Sequence, residues 1–342
     1  MPASGPLTDK LEQLVFFNDS QVGAIVTKTI SVEGARVNKP CIVNKGHGIF
    51  NTELWSEKPA SVWRHEILEK FHPLKKKPLF ISLGYTKKDM ETLIPLFNPY
   101  ADFFEVSTHY NMDELKGLVS TIRQLTDKPF FIKLSPHIQD YIDFVGTAIH
   151  YGATGVVAIN SVGPTMAIDL RQRKTMIGLK EGQSWMSGAP IKAIALHRVA
   201  MIRQAFPEVP IIGCGGVERP EDILEFILAG GQLVQMLSHA LIKGTDRYDQ
   251  IIKKLPTVME DYDIPSMKSL INTQLSFSNE GLNHYPSIHQ EACIKCQWCV
   301  KSCPEKALFL DGYIQCKVDL CVSCGLCESR CPVDAIKGVL SC

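Results

Sequence analysis

The sequence predicts an α/β chain, a (β/α)8 TIM barrel over residues 1–284 followed by a small cysteine-rich domain over residues 285–342. Three observations carry this reading. Short apolar, β-rich runs alternate with longer amphipathic runs through most of the chain, as parallel strands and their covering helices do. Polar residues gather at the C-terminal ends of those runs, where a barrel of this kind keeps its active site. Finally, two matching cysteine runs, "CIKCQWCVKSCP" from Cys293 and "CVSCGLCESRCP" from Cys321, sit near the end.

The strand candidates come in order as "MPASG" (1–5), "GAIVTKT" (23–29), "LFISL" (79–83), "FFEVST" (103–108), "FFIKL" (130–134), "GVVAIN" (155–160), "PIIGCGG" (210–216) and "LVQML" (233–237). Helix-like stretches lie between most of them, at 87–97, 112–125, 138–152 and 220–230. An open doubly wound sheet is the alternative architecture. Its dinucleotide fingerprint, G-x-G-x-x-G after the first strand, is missing, and "GCGGVERP" is a different pattern. A glycine pair after a late barrel strand instead suits a phosphate held on backbone amides, which only glycine lets approach closely.

Lys28 and Thr29 end the second strand, Ser107 through Asn111 follow the fourth, Lys133 ends the fifth, and Asn160 and Ser161 end the sixth. One strand-end lysine ordinarily snorkels to solvent. A buried lysine without a partner is costly, so two of them imply an anionic or electron-rich ligand inside the barrel.

Each cysteine run reads Cys-x2-Cys-x2-Cys-x3-Cys-Pro. Three close thiolates suit three corners of a cubane iron–sulfur cluster, and the fourth cysteine serves the other cluster of the pair. One cluster would take Cys293, Cys296, Cys299 and Cys331; the second would take Cys321, Cys324, Cys327 and Cys303. Structural zinc also favours four cysteines, but its motifs pair two Cys-x2-Cys knuckles and need neither the third close cysteine nor the proline. The stretch from about Ser287 to Cys342 thus resembles a bacterial-type ferredoxin domain with two [4Fe–4S] clusters. Cys41, Cys214, Cys316 and Cys342 are read as bystanders.

Composition narrows the partners. The 342 residues include 36 basic and 36 acidic ones, a balance that argues against a nucleic-acid partner. The run Lys75-Lys76-Lys77 reads as a solvated loop. No apolar stretch reaches the ~20 residues that span a bilayer, and "MPASGPLTDK" lacks the regions of a signal peptide. Together with the cysteine usage, this predicts a reducing cytoplasm.

At this point the chain resembles a known family, the flavin barrel of dihydroorotate dehydrogenases, and more closely the FMN-plus-ferredoxin portion of dihydropyrimidine dehydrogenase. "ASG" (3–5), "AIVTKTIS" (24–31), "FNTELWSEKPASVW" (50–63), "FFIKLSP" (130–136), "AINS" (158–161), "SGAPIKAIAL" (187–196), "PIIGCGG", "ILAGGQLVQMLS" (227–238) and the cysteine tail carry the likeness. It implies FMN. Ala3, Ser4 and Gly5 would back the isoalloxazine ring; Lys28, Thr29 and Lys133 would border it, the two lysines near its N1–O2 edge. Ser187 and Gly188 would border the ribityl side, and Gly215, Gly216, Leu237 and Ser238 would hold the phosphate. Asn51, Asn160 and Ser161 match residues that bind a cyclic amide substrate over the flavin, and Ser107 stands in the same region. The likeness also suggests a homodimer.

Two departures qualify it. The family's motif after the fourth strand reads Asn-Leu-Ser-Cys-Pro, whereas Ser107, Thr108, His109, Tyr110 and Asn111 stand here, without the substrate asparagine or the proton-handling cysteine. Hydride transfer to a C=C bond needs a proton for the adjoining carbon; Tyr110, at the cysteine's position, is the first candidate donor and His109 the second. Relatives also run on upstream of their "ASG", whereas here the first strand starts at Met1, which leaves the barrel bottom less covered or puts the start too late.

The sequence therefore predicts an FMN- and iron–sulfur-dependent oxidoreductase of the CH–CH class, acting on a ring C=C of a small heterocycle as dihydropyrimidine dehydrogenase does. An ene-reductase for another substrate, with Tyr110 as proton donor, is the rival, and an electron-transfer subunit without ring chemistry is a third reading. Dihydroorotate oxidation is disfavoured, because its partner subunit normally carries the cluster. No FAD or nicotinamide module is visible, so the redox partner is expected to be a separate ferredoxin or nicotinamide flavoprotein subunit.

Overall fold

Runs rich in Val, Ile, Leu and Phe become strands buried on both faces: Leu79–Leu83, Phe130–Leu134 and Gly155–Ala158 are buried throughout, and Phe103–Ser107 in all but its first residue. Double burial is what a parallel sheet needs when helices cover one face and side chains fill the other. In this computed structural model, which describes residues 1–107, 112–273, 275–277 and 284–340, seven strands pair in parallel. Their spatial order is Ile25–Val26, Leu79–Leu83, Phe103–Ser107, Phe130–Leu134, Gly155–Ala158, Ile211–Cys214 and Leu233–Gln235. A parallel bridge from Pro2 to Met236 adds the N-terminal segment beside the last of them. The Lys28 N–H then donates to the Thr8 carbonyl at 3.1 Å, tying that segment's continuation back to the start of the sheet. The order is that of the α/β barrel the sequence predicts.

The period of two along each strand makes two cores. Leu79, Ile81, Leu83, Phe104, Val106, Phe130 and Ile132 face the helices. Phe80, Phe131, Val157 and Ile212 face inward with Phe103 packed against them, and the Phe80 and Phe103 rings stack at 4.5 Å. Two residues further along, the inward positions of three of these strands turn polar, as Ser82, Glu105 and Lys133. An aromatic floor thus closes the barrel beneath a polar layer.

Local signals fix the covering helices. Thr86 and Asp89 form a reciprocal capping box for Lys87–Phe97, Asp140 caps Tyr141–His150, and Pro220 opens Pro220–Leu228. In Met112–Leu125 the buried Leu115, Leu118, Val119 and Ile122 recur at helical spacing. The lysine run is a loop, as the sequence predicts, with Lys76 exposed, but its cations are engaged. Lys75 pairs with Asp102 at 2.5 Å, Lys76 with Asp19 at 2.6 Å, and Lys77 donates to the carbonyls of Phe17 and Ser20 at the end of helix Leu11–Asp19. Burial lowers the Lys77 pKa.

A second, antiparallel sheet joins Ile42–Lys45, Gly48–Asn51, Ser184–Gly188 and Val162–Thr165 in that order. The chain divides into two compact units, Met1–Leu275 and Ser276–Cys342. The second unit is a short duplicated fold. Helix Trp298–Ser302 follows the first three cysteines' start as Leu326–Ser329 follows the second's, and the hairpin Leu308–Asp311/Tyr313–Cys316 lies between. Ser287–Ile288 pairs with Ile336–Lys337 to close it. Among the described residues no helix is long and apolar enough to cross a membrane.

Candidate flavin cavity and cluster-binding unit

A cavity of about 420 Å³ opens at the C-terminal ends of the parallel strands, inside the range of roughly 300–1,000 Å³ that small-molecule sites occupy. The strand ends bring Lys28, Thr29, Ser107, Lys133, Asn160 and Ser161 to it, and the N-terminal segment brings Ala3, Ser4 and Gly5. The antiparallel sheet contributes Asn51, Ser187 and Gly188 through the register that sets Gly188 opposite Gly48. Gly215, Gly216, Leu237 and Ser238 complete the wall. The described residues predicted for cofactor and substrate thus meet around one space. His109 and Tyr110 lie outside the described residues.

The two lysines are not the unpaired cations the sequence implies. Lys133, on the inward face of its strand, lies 3.2 Å from Glu105 and 3.3 Å from the Gln235 side-chain oxygen. Gln235 in turn donates to Glu105 at 2.7 Å, and Ser82 donates to Glu105 at 3.5 Å. Burial opposes the charged form of Lys133, yet the Glu105 carboxylate beside it, with smaller help from Cys214, raises its pKa overall. Lys28 lies 3.2 Å from both Glu53 oxygens. Both lysines are therefore held by carboxylates. Sequence reasoning missed those partners. Glu105 in "FFEVST" and Gln235 in "LVQML" are polar side chains inside otherwise apolar strand runs, and that was their available signal.

The glycines form a cradle that side chains would fill. Gly188 and Gly216 have φ of 94° and 80°, in the left-handed region that favours glycine. A Cβ on Gly216 would come within 2.6 Å of the Lys192 Cβ and 3.0 Å of the Gly188 carbonyl. Next to them the Ser238 hydroxyl donates to the Ser187 hydroxyl at 2.9 Å. A glycine-lined concavity with two hydroxyls fits a phosphate. Ser4 and Thr29 hydroxyls meet at 2.8 Å, and Thr29 meets Ser82 at 3.0 Å. Cys214, a bystander in the sequence reading, lines the cavity; burial raises its pKa, against the pull of Lys133.

The predicted substrate residues serve the scaffold as well. The Asn51 amide donates across the antiparallel sheet to the Trp185 carbonyl at 3.2 Å. The Asn160 side chain accepts from the Ser161 N–H at 2.8 Å, as a strand-end turn. Ser107 is the last residue of its strand and is buried. Trp55 and Tyr85, edge to face at 4.9 Å, add an aromatic wall that the sequence reading did not single out.

In the second unit Cys299 is buried with Leu308, Ile314 and Ile336, and Cys293, Cys303, Cys316, Cys327 and Cys331 pack against them. Backbone geometry repeats between the halves. Lys295, Gln297 and Lys306 have positive φ, as do Ser323, Gly325 and Asp334 at the matching places. The Ala307 N–H donates to the Cys303 sulfur and the Ala335 N–H to the Cys331 sulfur, each at 3.2 Å. Amides aimed at sulfur are what an iron-bound thiolate takes up. Among the described residues no three His, Cys, Asp or Glu side chains converge on a single-ion position; a cubane spreads its thiolates around four irons, so its cysteines need no such convergence. Cys316, a bystander in the sequence reading, packs with these cysteines, and its pKa rises to about 11 through burial first and Cys321 second.

Comparison with known proteins agrees with both halves. A family model described as dihydroorotate dehydrogenase matches residues 1–259, and one described as a 4Fe-4S dicluster domain matches residues 292–335. The chain is 28% identical over 288 residues to the dihydroorotate dehydrogenase B (NAD(+)) catalytic subunit of Pyrococcus abyssi, covering 80% of this chain and 94% of that one. The subunit of the same name from Thermococcus kodakarensis is 28% identical over 290 residues, covering 80% and 93%. That from Listeria innocua is 27% identical over 292 residues, covering 79% and 92%. With its α/β barrel and its 4Fe-4S dicluster domain, the chain belongs to the dihydroorotate dehydrogenase family of flavin-dependent oxidoreductases that act on CH–CH groups.

Proposed function

We propose that the chain forms or reduces the ring C=C bond of a small heterocycle, in the manner of dihydropyrimidine dehydrogenase, with FMN in the barrel and two [4Fe–4S] clusters in the C-terminal domain. The observation that carries this is the meeting of the flavin-type residues around one cavity in a chain that also bears two cluster-spaced cysteine runs. FMN, when bound, exchanges single electrons on one side and a hydride on the other. Ala3, Ser4, Gly5 and Thr29 would border its ring, with Lys28 and Lys133 supplying the positive charge that its reduced form needs. Ser187 and Gly188 would border the ribityl chain, and Gly215, Gly216, Leu237 and Ser238 would receive the phosphate. Asn51, Ser107, Asn160 and Ser161 would orient the substrate.

Tyr110 would donate the proton to the carbon next to the one receiving hydride, with His109 as the second candidate. Cys293, Cys296, Cys299 and Cys331 would hold one cluster and Cys321, Cys324, Cys327 and Cys303 the other. The redox partner would be a separate ferredoxin or nicotinamide flavoprotein, and the enzyme a cytoplasmic homodimer. The relatives' name, catalytic subunit of an NAD(+) enzyme, supports a partner subunit. The domain boundary is proposed between residues 284 and 285.

The test is anaerobic turnover of a pyrimidine panel with reduced ferredoxin, followed by flavin absorbance. Tyr110→Phe should leave flavin reduction intact while product formation collapses; equal turnover would move the role to His109 or water. The loss of the family's asparagine and cysteine at Ser107 and Tyr110 favours a second reading, an ene-reductase for a non-pyrimidine substrate or an electron-transfer subunit. Flavin that no ligand in a broad panel perturbs would select the electron-transfer subunit.

A further inference from the structure

The two cysteine runs share their spacing but not their surroundings, and the inference drawn from that difference rests on the functional reading above. Within the second unit a small cavity is lined by Cys303, Cys321, Cys324 and Cys327 together, the four thiolates proposed for one cluster. Ser323 lines the same cavity, and its hydroxyl oxygen is shut off from solvent with no hydrogen-bond partner among the described residues. A buried hydroxyl left without a partner is costly. The chemistry of the cage supplies a partner, since iron-bound sulfur accepts hydrogen bonds. The hairpin brings a second donor. Its register sets Cys316 opposite Leu308, which also lines the cavity. The Cys316 side chain lies within hydrogen-bonding reach of Cys321, with Cys327 and Cys303 as further sulfur neighbours.

The first run has neither donor in these places. At the position of Ser323, just before the second cysteine of the run, stands Lys295, an exposed residue whose charge solvent screens. At the position of Cys316, ahead of the first cysteine, stands the apolar Ile288. Glu328, next to Cys327, works in the opposite sense, but the Val339 and Leu340 N–H groups donate to its carboxylate at 2.7 and 2.8 Å. A donor aimed at cluster sulfur favours the more negative, reduced state.

We infer that the Ser323 hydroxyl and the Cys316 thiol donate hydrogen bonds to the sulfur of the cluster held by Cys303, Cys321, Cys324 and Cys327, and thereby raise its reduction potential while leaving the other cluster unaffected. The cluster takes up one electron; Ser323 and Cys316 keep their protons and form no bond to iron.

The experiment uses the full chain, purified without oxygen, with iron and sulfide content measured first. About eight irons per chain mark two clusters; zinc or no iron overturns the functional reading itself. The cluster couples are then followed by electron paramagnetic resonance in a dye-mediated redox titration. Ser323→Ala and Cys316→Val should each lower one and the same couple by about tenfold in its reduction equilibrium, which is about 59 mV for one electron. Iron content and the other couple should not change. Cys316→Ser keeps a donor and should hold the wild-type potential. A couple unmoved in Ser323→Ala or in Cys316→Val, or a shift shared by both clusters, overturns the inference. Iron lost from Cys316→Ser also overturns it, because Cys316 would then be a ligand. Where Cys316→Val fails to take up its iron, Ser323→Ala decides alone.

Discussion

Glu105 and Lys133 form a buried pair in the barrel, both side chains at most 6% exposed, and the pair ties stability to the readiness of the site. Removing one partner of such a pair leaves an uncompensated charge and costs about 3–5 kcal/mol. Lys133→Met should therefore lower unfolding free energy by that amount in urea denaturation of flavin-depleted protein, where lost ligand binding does not contribute. The sign with pH follows from the raised pKa of Lys133. Its contribution is complete below the ordinary lysine value of about 10.4 and is lost only as pH climbs through the higher folded value. The gap between wild type and variant should thus stay level from pH 7 to 9.5, and a gap that closes in that window would show another origin. Gly216 offers a second residue-scale test. Alanine at φ 80° with Lys192 and Gly188 already in contact range is strained by about 1 kcal/mol or more, in the proposed phosphate cradle. Gly216→Ala should weaken flavin retention roughly tenfold, read as flavin-to-protein ratio after dialysis.

Elements differ in how much of them the sequence announced, and the reason is burial. The strands Leu79–Leu83 and Phe130–Leu134 and the helices Lys87–Phe97 and Met112–Leu125 coincide with the runs read from the sequence, because two-faced burial and helical periodicity leave a strong pattern. The antiparallel sheet was not legible. Ile42–Lys45 and Val162–Thr165 are short and half exposed, and the sheet is completed by the long-range pairing of Gly48–Asn51 with Ser184–Gly188. The site was legible as a set of strand ends, but Glu53 and Glu105 gained meaning only through partners that lie 25 and 28 residues away in sequence. The duplicated cysteine unit was the most legible of all, since spacing is itself the chemistry. It also carries the element-scale prediction. Cys331, like Cys303, sits at the end of its run and takes a backbone N–H on its sulfur. If each serves the cluster of the opposite run, as proposed, Cys331→Ser should remove the cluster of Cys293, Cys296 and Cys299 and spare the other. Iron content should fall by roughly half, and loss of nearly all iron would show that the two halves fold only together.

At the scale of the whole molecule, the proposed relay requires the second unit for electron delivery and leaves the flavin site to the first. The cavity-lining residues all belong to Met1–Leu275, whereas the cysteine runs belong to Ser276–Cys342. Flavin binding and flavin reduction should therefore separate in one variant. Cys296→Ser with Cys324→Ser takes a central thiolate from each run, and neither cysteine lines the cavity. The protein should keep its flavin and still show ligand-induced absorbance changes. Photoreduction, which needs no protein donor, should still bleach the flavin. Reduction by reduced ferredoxin should slow by about a hundredfold or more, because the protein donor would have lost its path through the iron–sulfur centres. The comparison of the two reductants decides the matter: ferredoxin reducing the flavin of the variant at the wild-type rate would mean that the donor reaches the barrel directly and that the cysteine unit has another task.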